Sequence, residues 1–241
     1  MNELLLTIAV MAAGTVIMGR ICYWVDGTAF INNAARAMMD HIPWDYGEIK
    51  SSLIGIWYYL APMIFIAAFC LVFRFNIFKY IMISPEYLAY IPLTILAEFS
   101  VTTMLSGVLT LFSEKVDWKN DIGDITWIQS IHQHNKLVAP LVPLLGAFVE
   151  EWFYRGIVFL ILYLYFPQAV FIGAALVSGI LFSIDQILFT DKKSQAFSMV
   201  IASLGITLVA CTSIVITNSF LPCLIAHECF LIMYFGRFRY Y

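Results

Sequence analysis

Seven ionisable side chains lie inside long apolar blocks of this sequence, where charge is costly. They are Glu98, Glu150, Glu151, Asp185, Glu228, Arg155 and His227. A carboxylate or guanidinium at the centre of a transmembrane helix costs about 2.5–3.5 kcal/mol on insertion scales, so such residues are candidates for function by default. A single arginine cannot balance five ionised acids. Some of the acids must therefore be protonated, line a wet cavity or share protons.

Helical spacing separates the two adjacent acids Glu150 and Glu151. Glu151 and Arg155 are four residues apart and lie on one helix face, so the favoured interpretation is a structural ion pair that fixes two helices. Glu150 lies about 100° further round the helix and is less well matched to Arg155. Because an unpaired acid at mid-membrane is costly to keep, Glu150 is predicted to act as a general base that takes up a proton and returns it.

The other polar residues at this depth have both structural and functional interpretations. His227 is equally compatible with catalysis and with a hydrogen bond between helices. Glu98 is as compatible with packing or a cavity as with catalysis. Asp185 and Gln186 need partners at depth, or else they face water from the end of their apolar block.

Composition identifies the class of protein. The 241 residues are 62% hydrophobic and 12% charged, whereas soluble domains have about 45–50% apolar and about 25% charged residues. This excess forms long blocks, which indicates a polytopic membrane protein embedded in a lipid bilayer. The net charge of −3 provides no basic patch for nucleic acid. Five scattered cysteines form neither a disulfide framework nor paired zinc spacing, so no metal and no cofactor is predicted.

Seven apolar blocks predict an all-α bundle of about seven transmembrane helices in one domain, residues 1–241, around a membrane-embedded polar cavity. The blocks are Leu4–Met18, Leu53–Val72, Tyr87–Phe112, Leu137–Phe166, Ala169–Leu188, Phe197–Ile216 and Leu221–Phe235. The fourth has about 30 residues, too many for a ~30 Å hydrocarbon core, so it is tilted, kinked or split into an eighth helix. Pro140 and Pro143 favour a kink.

Two stretches between the blocks are polar. Asp26–Lys50 is amphipathic and suits an interfacial loop or a helix lying on the membrane surface. Residues 113–136 form the most polar stretch, in which His132 and His134 are predicted to be solvated.

The basic residues predict an orientation. Ten of the thirteen lie in the loops after spans one, three and five and in the C-terminal tail, and Arg74 and Lys79 lie on the other side. The positive-inside rule then places the C-terminus in the cytoplasm and the N-terminus outside. The short, minimal chain favours a bacterial plasma membrane.

The segment from Phe148 to Gly156, with Glu150, Glu151 and Arg155, resembles the Glu-Glu-x-x-x-Arg motif of the CPBP family. This family, also called Abi, contains CAAX-type proteases and bacteriocin-processing enzymes. Two later segments resemble its second motif, Phe-x-x-x-His, and its third, His-x-x-x-Asn/Asp: Ser178–Gln186 and Leu221–His227. The resemblance covers roughly residues 137–235 as a catalytic core region. It implies a glutamic-type intramembrane endopeptidase with a conical cavity inside a helical bundle.

The resemblance also implies roles for four matching residues. Glu150 would activate water, while Glu151 and Arg155 would hold the site together. His227 would polarise the scissile carbonyl and stabilise the oxyanion.

The sequence departs from the family pattern at two positions. The second-motif histidine is replaced by Gln186, which keeps an N–H donor and has Asp185 beside it as a further supporting group. The third-motif Asn or Asp is replaced by Leu231, which can donate nothing.

These departures leave the function open between two main hypotheses. One is a working protease that cleaves a membrane-presented peptide or protein, such as a bacteriocin precursor or a signalling peptide. The other is a pseudo-protease that binds a membrane partner protein as a scaffold, regulator or immunity protein. A transporter or proton-linked channel is disfavoured because the chain has no inverted repeat. CAAX processing itself is not expected of a bacterial chain.

Overall fold

The helices lie in an all-α bundle, as the sequence predicts. A computed structural model describes residues 2–81, 84–111, 124–131, 134–135 and 137–236, and all regular structure within these ranges is helical. In chain order the helices are α1 (Asn2–Asp26), α2 (Ala29–Met39), α3 (Tyr46–Val72), a 3₁₀ turn (Ile77–Tyr80), α4 (Pro85–Thr110), α5 (Thr126–Ile131), α6 (Leu141–Glu150), a π-helical segment (Glu151–Phe159), α7 (Leu160–Tyr165), a second 3₁₀ turn (Pro167–Ala169), α8 (Val170–Ile187), α9 (Lys193–Thr217) and α10 (Leu221–Gly236). Most of the predicted polar stretch, including His132, lies outside the described residues.

The long helices have the length and composition of membrane spans. Among the described residues, α1, α3, α9 and the greater part of α4 are apolar enough to cross a membrane, and so is α8 together with the turn before it. α10 is apolar but shorter. The fourth predicted block forms the run from α6 to α7, and this run lies in the core of the bundle.

The fourth block is not split into two helices, and its irregularity does not lie at its prolines. Pro140 occupies the N-cap of α6, and Pro143 lies in the first turn, where a missing N–H costs little. The backbone instead widens into the π-helical segment, all of which is buried. π-Helical turns are rare and frequently occur at functional sites. Here the wide turn begins at the second residue of the Glu-Glu pair.

The amphipathic stretch Asp26–Lys50 contains the short helix α2. The Thr28 hydroxyl caps this helix by accepting a hydrogen bond of 3.3 Å from the N–H of Ile31. Ile31 and Ala35 are buried, and the hydroxyl of Tyr46 donates to Asn32 at 2.8 Å. α2 is therefore fixed against the start of α3, at one end of the bundle.

Helices α1 and α8 approach closely at Gly19. A methyl group added at Gly19 would lie 2.6 Å from Cδ1 of Leu188 and 3.1 Å from Cβ of Leu188. It would also lie 3.1 Å from Oδ1 of Asp185. Contacts this short force neighbouring atoms to move. Glycine at position 19 therefore sets the spacing between these two helices.

We expect Gly19→Ala to destabilise the bundle by about 1–3 kcal/mol, because overpacking shifts side chains from their preferred positions. Gly173→Ala in α8 is the matched control, since a methyl group there meets nothing within 4 Å. The measurement is thermal unfolding of both variants in the same detergent. Equal melting temperatures would contradict the close packing at Gly19.

Candidate active site

A cavity of about 780 Å³ lies inside the bundle, and Glu150, Gln186 and His227 line it. Its walls come from α1, α3, α4, α6, α8, α9 and α10. Asp26 and Lys50 line it where α1 ends and α3 begins, and they form an ion pair of 2.7 Å that is partly exposed. The cavity thus extends from this end of the bundle to the buried acids.

Glu150 is held through one of its two oxygens. The hydroxyl of Tyr58 donates to Oε1 at 2.7 Å, and the side-chain amide of Gln186 donates to the same atom at 3.1 Å. Among the described residues, none donates a hydrogen bond to Oε2. The carboxylate is therefore fixed in orientation, while Oε2 remains available to a water molecule or a substrate in the cavity.

Glu151 faces away from this arrangement, into a fully buried cluster of charged and polar groups. Its Oε1 lies 3.4 Å from NH1 of Arg155, so the ion pair predicted from the spacing is present. Arg155 also donates to the hydroxyl of Thr207 at 3.2 Å, and its guanidinium lies 4.3 Å from the ring centroid of Phe182. These contacts join the π-helical segment to α8 and α9.

His227 connects this buried cluster to the cavity. Its Nδ1 lies 2.8 Å from Oε1 of Glu151. A carboxylate paired with Arg155 is ionised and can only accept, so Nδ1 carries the proton and donates it. Because His227 also lines the cavity, the second ring nitrogen, Nε2, is the one that a substrate can reach.

The remaining acids singled out from the sequence do not line the cavity. Asp185 is fully buried rather than facing water; it lies beside Tyr154 and interacts electrostatically with Glu150. Glu98 is also fully buried and lies near Glu151. Glu228 is partly buried on α10. The supporting role predicted for Asp185 stays a prediction, since its carboxylate is buried outside the cavity lining.

One histidine differs from the sequence prediction. His134 is buried rather than solvated, and it lines the cavity close to Gly55 of α3. The segment that precedes α6 packs against α3 at the end of the bundle, where Asn135 donates to Glu48 at 3.2 Å. The polarity of the surrounding loop gave no indication of this contact.

Sequence reasoning did not find Tyr58 or Thr207. Tyr58 forms a hydrogen bond with the catalytic candidate Glu150, and Thr207 forms one with the supporting residue Arg155. A tyrosine or threonine in an apolar span signals that a polar partner is needed. That signal does not identify the partner, because each contact joins residues far apart in the chain.

No group of three or more His, Cys, Asp or Glu side chains in the described part of the chain is arranged to hold a metal ion. The chemistry that this geometry supports is acid–base chemistry at Glu150, with the imidazole of His227 lining the same cavity.

Comparison with known families confirms the resemblance found in the sequence. Residues 133–233 match the model of the family described as type II CAAX prenyl endopeptidase Rce1-like, which lies within the CPBP family. This region contains Glu150, Glu151, Arg155 and His227 and less than half of the chain. No curated protein and no solved structure matches the chain. Residues 133–233 are therefore similar to this family, and at the family level the similarity suggests a CAAX-type intramembrane protease.

We expect Arg155→Met to destabilise the protein by about 3–5 kcal/mol, because it leaves the charge of Glu151 buried without its main partner. The double variant Glu151→Met/Arg155→Met is expected to be more stable than Arg155→Met alone, since both charges are then removed. Thermal unfolding in detergent measures both effects.

Lys50→Met is the control for this prediction. It breaks the partly exposed ion pair with Asp26, which is worth about 1 kcal/mol or less. If Arg155→Met were as mild as Lys50→Met, the buried pair would not hold the helices together.

Proposed function

We propose that this protein hydrolyses a peptide bond inside the membrane, with Glu150 as the general base. One observation carries the proposal: two donors fix Oε1 of Glu150, and Oε2 remains available in a cavity that His227 also lines. A base must reach the proton that it abstracts while its orientation stays constant. The matched family supports the same class of reaction.

The reaction begins with a water molecule held by Oε2 of Glu150. Glu150 removes a proton from this water while the water oxygen attacks the carbonyl carbon of the scissile bond. The carbonyl oxygen becomes an oxyanion, which Nε2 of His227 stabilises when both ring nitrogens carry protons. Glu150 then returns the proton to the leaving nitrogen, the C–N bond breaks, and a carboxylic acid and an amine are released.

Gln186 takes a different role from the histidine of the family motif. Its amide donates to Glu150, so it positions the base instead of polarising the scissile carbonyl and stabilising the oxyanion, which the resemblance implies for that histidine. Tyr58 shares this task. With Leu231 at the third-motif position, His227 provides the oxyanion donor that the matched motifs retain. Removing one oxyanion donor costs about 10²–10³ in rate in a well-studied protease, so we propose a slow enzyme.

The shape of the cavity supports a membrane-presented apolar peptide or protein tail as the substrate. Most of its lining surface is apolar, while the polar groups lie at Glu150, Gln186 and His227, at serine and threonine side chains of α4 and α9, and at the end near Asp26 and Lys50. Met233, close to the end of α10, lines the same cavity. We propose that this end faces the cytoplasm, because among the described basic residues Arg36, Lys50, Lys192 and Lys193 lie at this end, whereas Arg74 and Lys79 lie at the other.

A second candidate function is a pseudo-protease that binds a membrane partner in the same cavity. The observation in its favour is Leu231, which lines the cavity but offers no hydrogen bond to an oxyanion. In addition, the nearby donors of Tyr58 and Gln186 already bind Glu150. This alternative predicts that the charge of Glu150 is dispensable.

The two candidates are separated by Glu150→Gln. Peptide termini are compared by mass spectrometry in membranes and medium of cells that carry the wild type, the variant or no copy. We expect a set of termini that requires the wild type and is lost equally in the other two strains, because a glutamine cannot accept the proton from water. Glu228→Gln is the matched control, as it removes an acid that does not line the cavity.

If Glu150→Gln cells show the same termini as the wild type while the deletion has a phenotype, catalysis by Glu150 is contradicted. The pseudo-protease would then be the better account.

We expect Tyr58→Phe to lower the cleavage rate by about tenfold to a hundredfold, because a hydrogen bond to a charged group is worth about 1.5–3 kcal/mol. The neighbouring Tyr59→Phe is the control, because the hydroxyl of Tyr59 donates to the backbone carbonyl of Val142 at 3.0 Å rather than to Glu150. Initial rates on a cleaved peptide measure the difference. Equal rates for both variants would show that Tyr58 does not position the base.

A further inference from the structure

The cavity mouth is the end of the cavity near Asp26 and Lys50. A second, smaller pocket lies at the opposite end of the bundle. Its volume is about 210 Å³, and its polar lining comes from Arg74, Asn76, Lys79, Tyr80 and Tyr165. α3 has 27 residues, or about 40 Å. It runs from the cavity mouth to this pocket, so the two sites are separated by the thickness of the bundle.

Arg74 has a left-handed backbone conformation, which is uncommon for a residue other than glycine. α3 ends in a Schellman motif, in which the N–H of Phe75 donates to the carbonyl of Cys70 at 2.9 Å and the N–H of Arg74 donates to that of Leu71 at 3.3 Å. Arg74 takes the left-handed position of the motif, with φ of 49°. Glycine is preferred there because it has no Cβ. Strain of this kind accumulates at ligand-binding sites.

The charge of the pocket favours an anion. Arg74 and Lys79 are both exposed, and neither forms an ion pair with a described residue. No acidic side chain lines the pocket in the described part of the chain. Asn76 accepts a hydrogen bond from the N–H of Phe78 through Oδ1, which leaves its amino group as a further donor. Two cations and a neutral amide donor match a phosphate group.

The surroundings of the pocket indicate that the anion belongs to a lipid. The residues next to Arg74 on α3, Leu71 and Val72, are 80% and 76% exposed, and Leu164 in the pocket wall is 44% exposed. In a membrane these apolar side chains contact acyl chains. A ligand with a phosphate at the level of Arg74 and hydrocarbon along Leu71 is a phospholipid.

The 3₁₀ turn that carries Lys79 contacts both the start of α10 and the π-helical segment. The carbonyl of Tyr80 accepts a hydrogen bond of 2.9 Å from the N–H of Phe220, just before α10. Ile77 packs on Gly156 of the π-helical segment, where an added methyl group would lie 2.6 Å from its Cδ1. The pocket is thus held by the same segment that carries Glu151 and Arg155.

We propose that this pocket binds the phosphate headgroup of an anionic phospholipid, with Arg74 and Lys79 as the cationic contacts. The bound lipid holds the 3₁₀ turn against the π-helical segment and stabilises the bundle. This site does not depend on whether Glu150 is catalytic.

The test uses the purified full chain in detergent, with phosphatidylglycerol, phosphatidylcholine or glycerol phosphate added. Binding is measured by native mass spectrometry and stability by the melting temperature. We expect phosphatidylglycerol to bind and to raise the melting temperature more than phosphatidylcholine does. Because a basic residue near a membrane surface contributes about a fivefold gain in affinity for anionic lipid, Arg74→Gly/Lys79→Gln should weaken this binding by about twenty-fivefold.

The single variant Arg74→Gly separates an effect on lipid binding from an effect on the stability of the fold. Glycine relieves the left-handed strain, so this variant should melt at a higher temperature than the wild type without lipid and still gain less from phosphatidylglycerol. Arg36→Gln/Lys193→Gln, which removes two exposed cations outside the pocket, should keep the wild-type response.

Three results would overturn the proposal. They are equal effects of the two lipids, full binding of phosphatidylglycerol by the Arg74→Gly/Lys79→Gln variant, and stabilisation by glycerol phosphate alone to the same extent as by the lipid. The last result would assign the pocket to a soluble anion.

Discussion

The buried carboxylate of Glu151 connects the helices that surround the cavity. Its partner Arg155 lies one turn further along the π-helical segment and reaches Thr207 on α9, while His227 approaches it from α10. Removing these groups from water costs several kcal/mol for each ion, and good geometry with further hydrogen bonds offsets that cost. The π-helical segment, α9 and α10 must therefore stay where these partners can meet, and this requirement fixes the part of the cavity wall that α9 and α10 form.

This constraint explains how two adjacent acids have different surroundings. Glu151 is enclosed by a cation and a histidine, whereas Glu150 is held by two neutral donors and lines the cavity. Neighbouring carboxylates with such different environments can carry different roles in one reaction. The substitution of glutamine at position 186 fits this division, because the amide fixes Glu150 without adding a second titratable group beside it.

Local patterns in the sequence predicted the parts of the site that depend on short separations. The spacing of Glu151 and Arg155 indicated their ion pair, and the long apolar blocks indicated the bundle. Contacts between distant segments were not accessible in this way. Tyr58 meets Glu150 only because α3 packs beside α6, and His134 becomes buried only because its loop returns to the bundle. The prolines at the start of the fourth block suggested a kink, but the helix begins there and widens later, at the motif itself.

The central claim is that Glu150 activates water for peptide hydrolysis in the membrane. It is tested most directly with purified protein in liposomes, incubated with a pool of apolar peptides in water enriched in ¹⁸O. The account predicts that the wild type produces new C-termini that contain ¹⁸O and that Glu150→Gln produces none. New termini of equal yield from both proteins, or none from either, would contradict it.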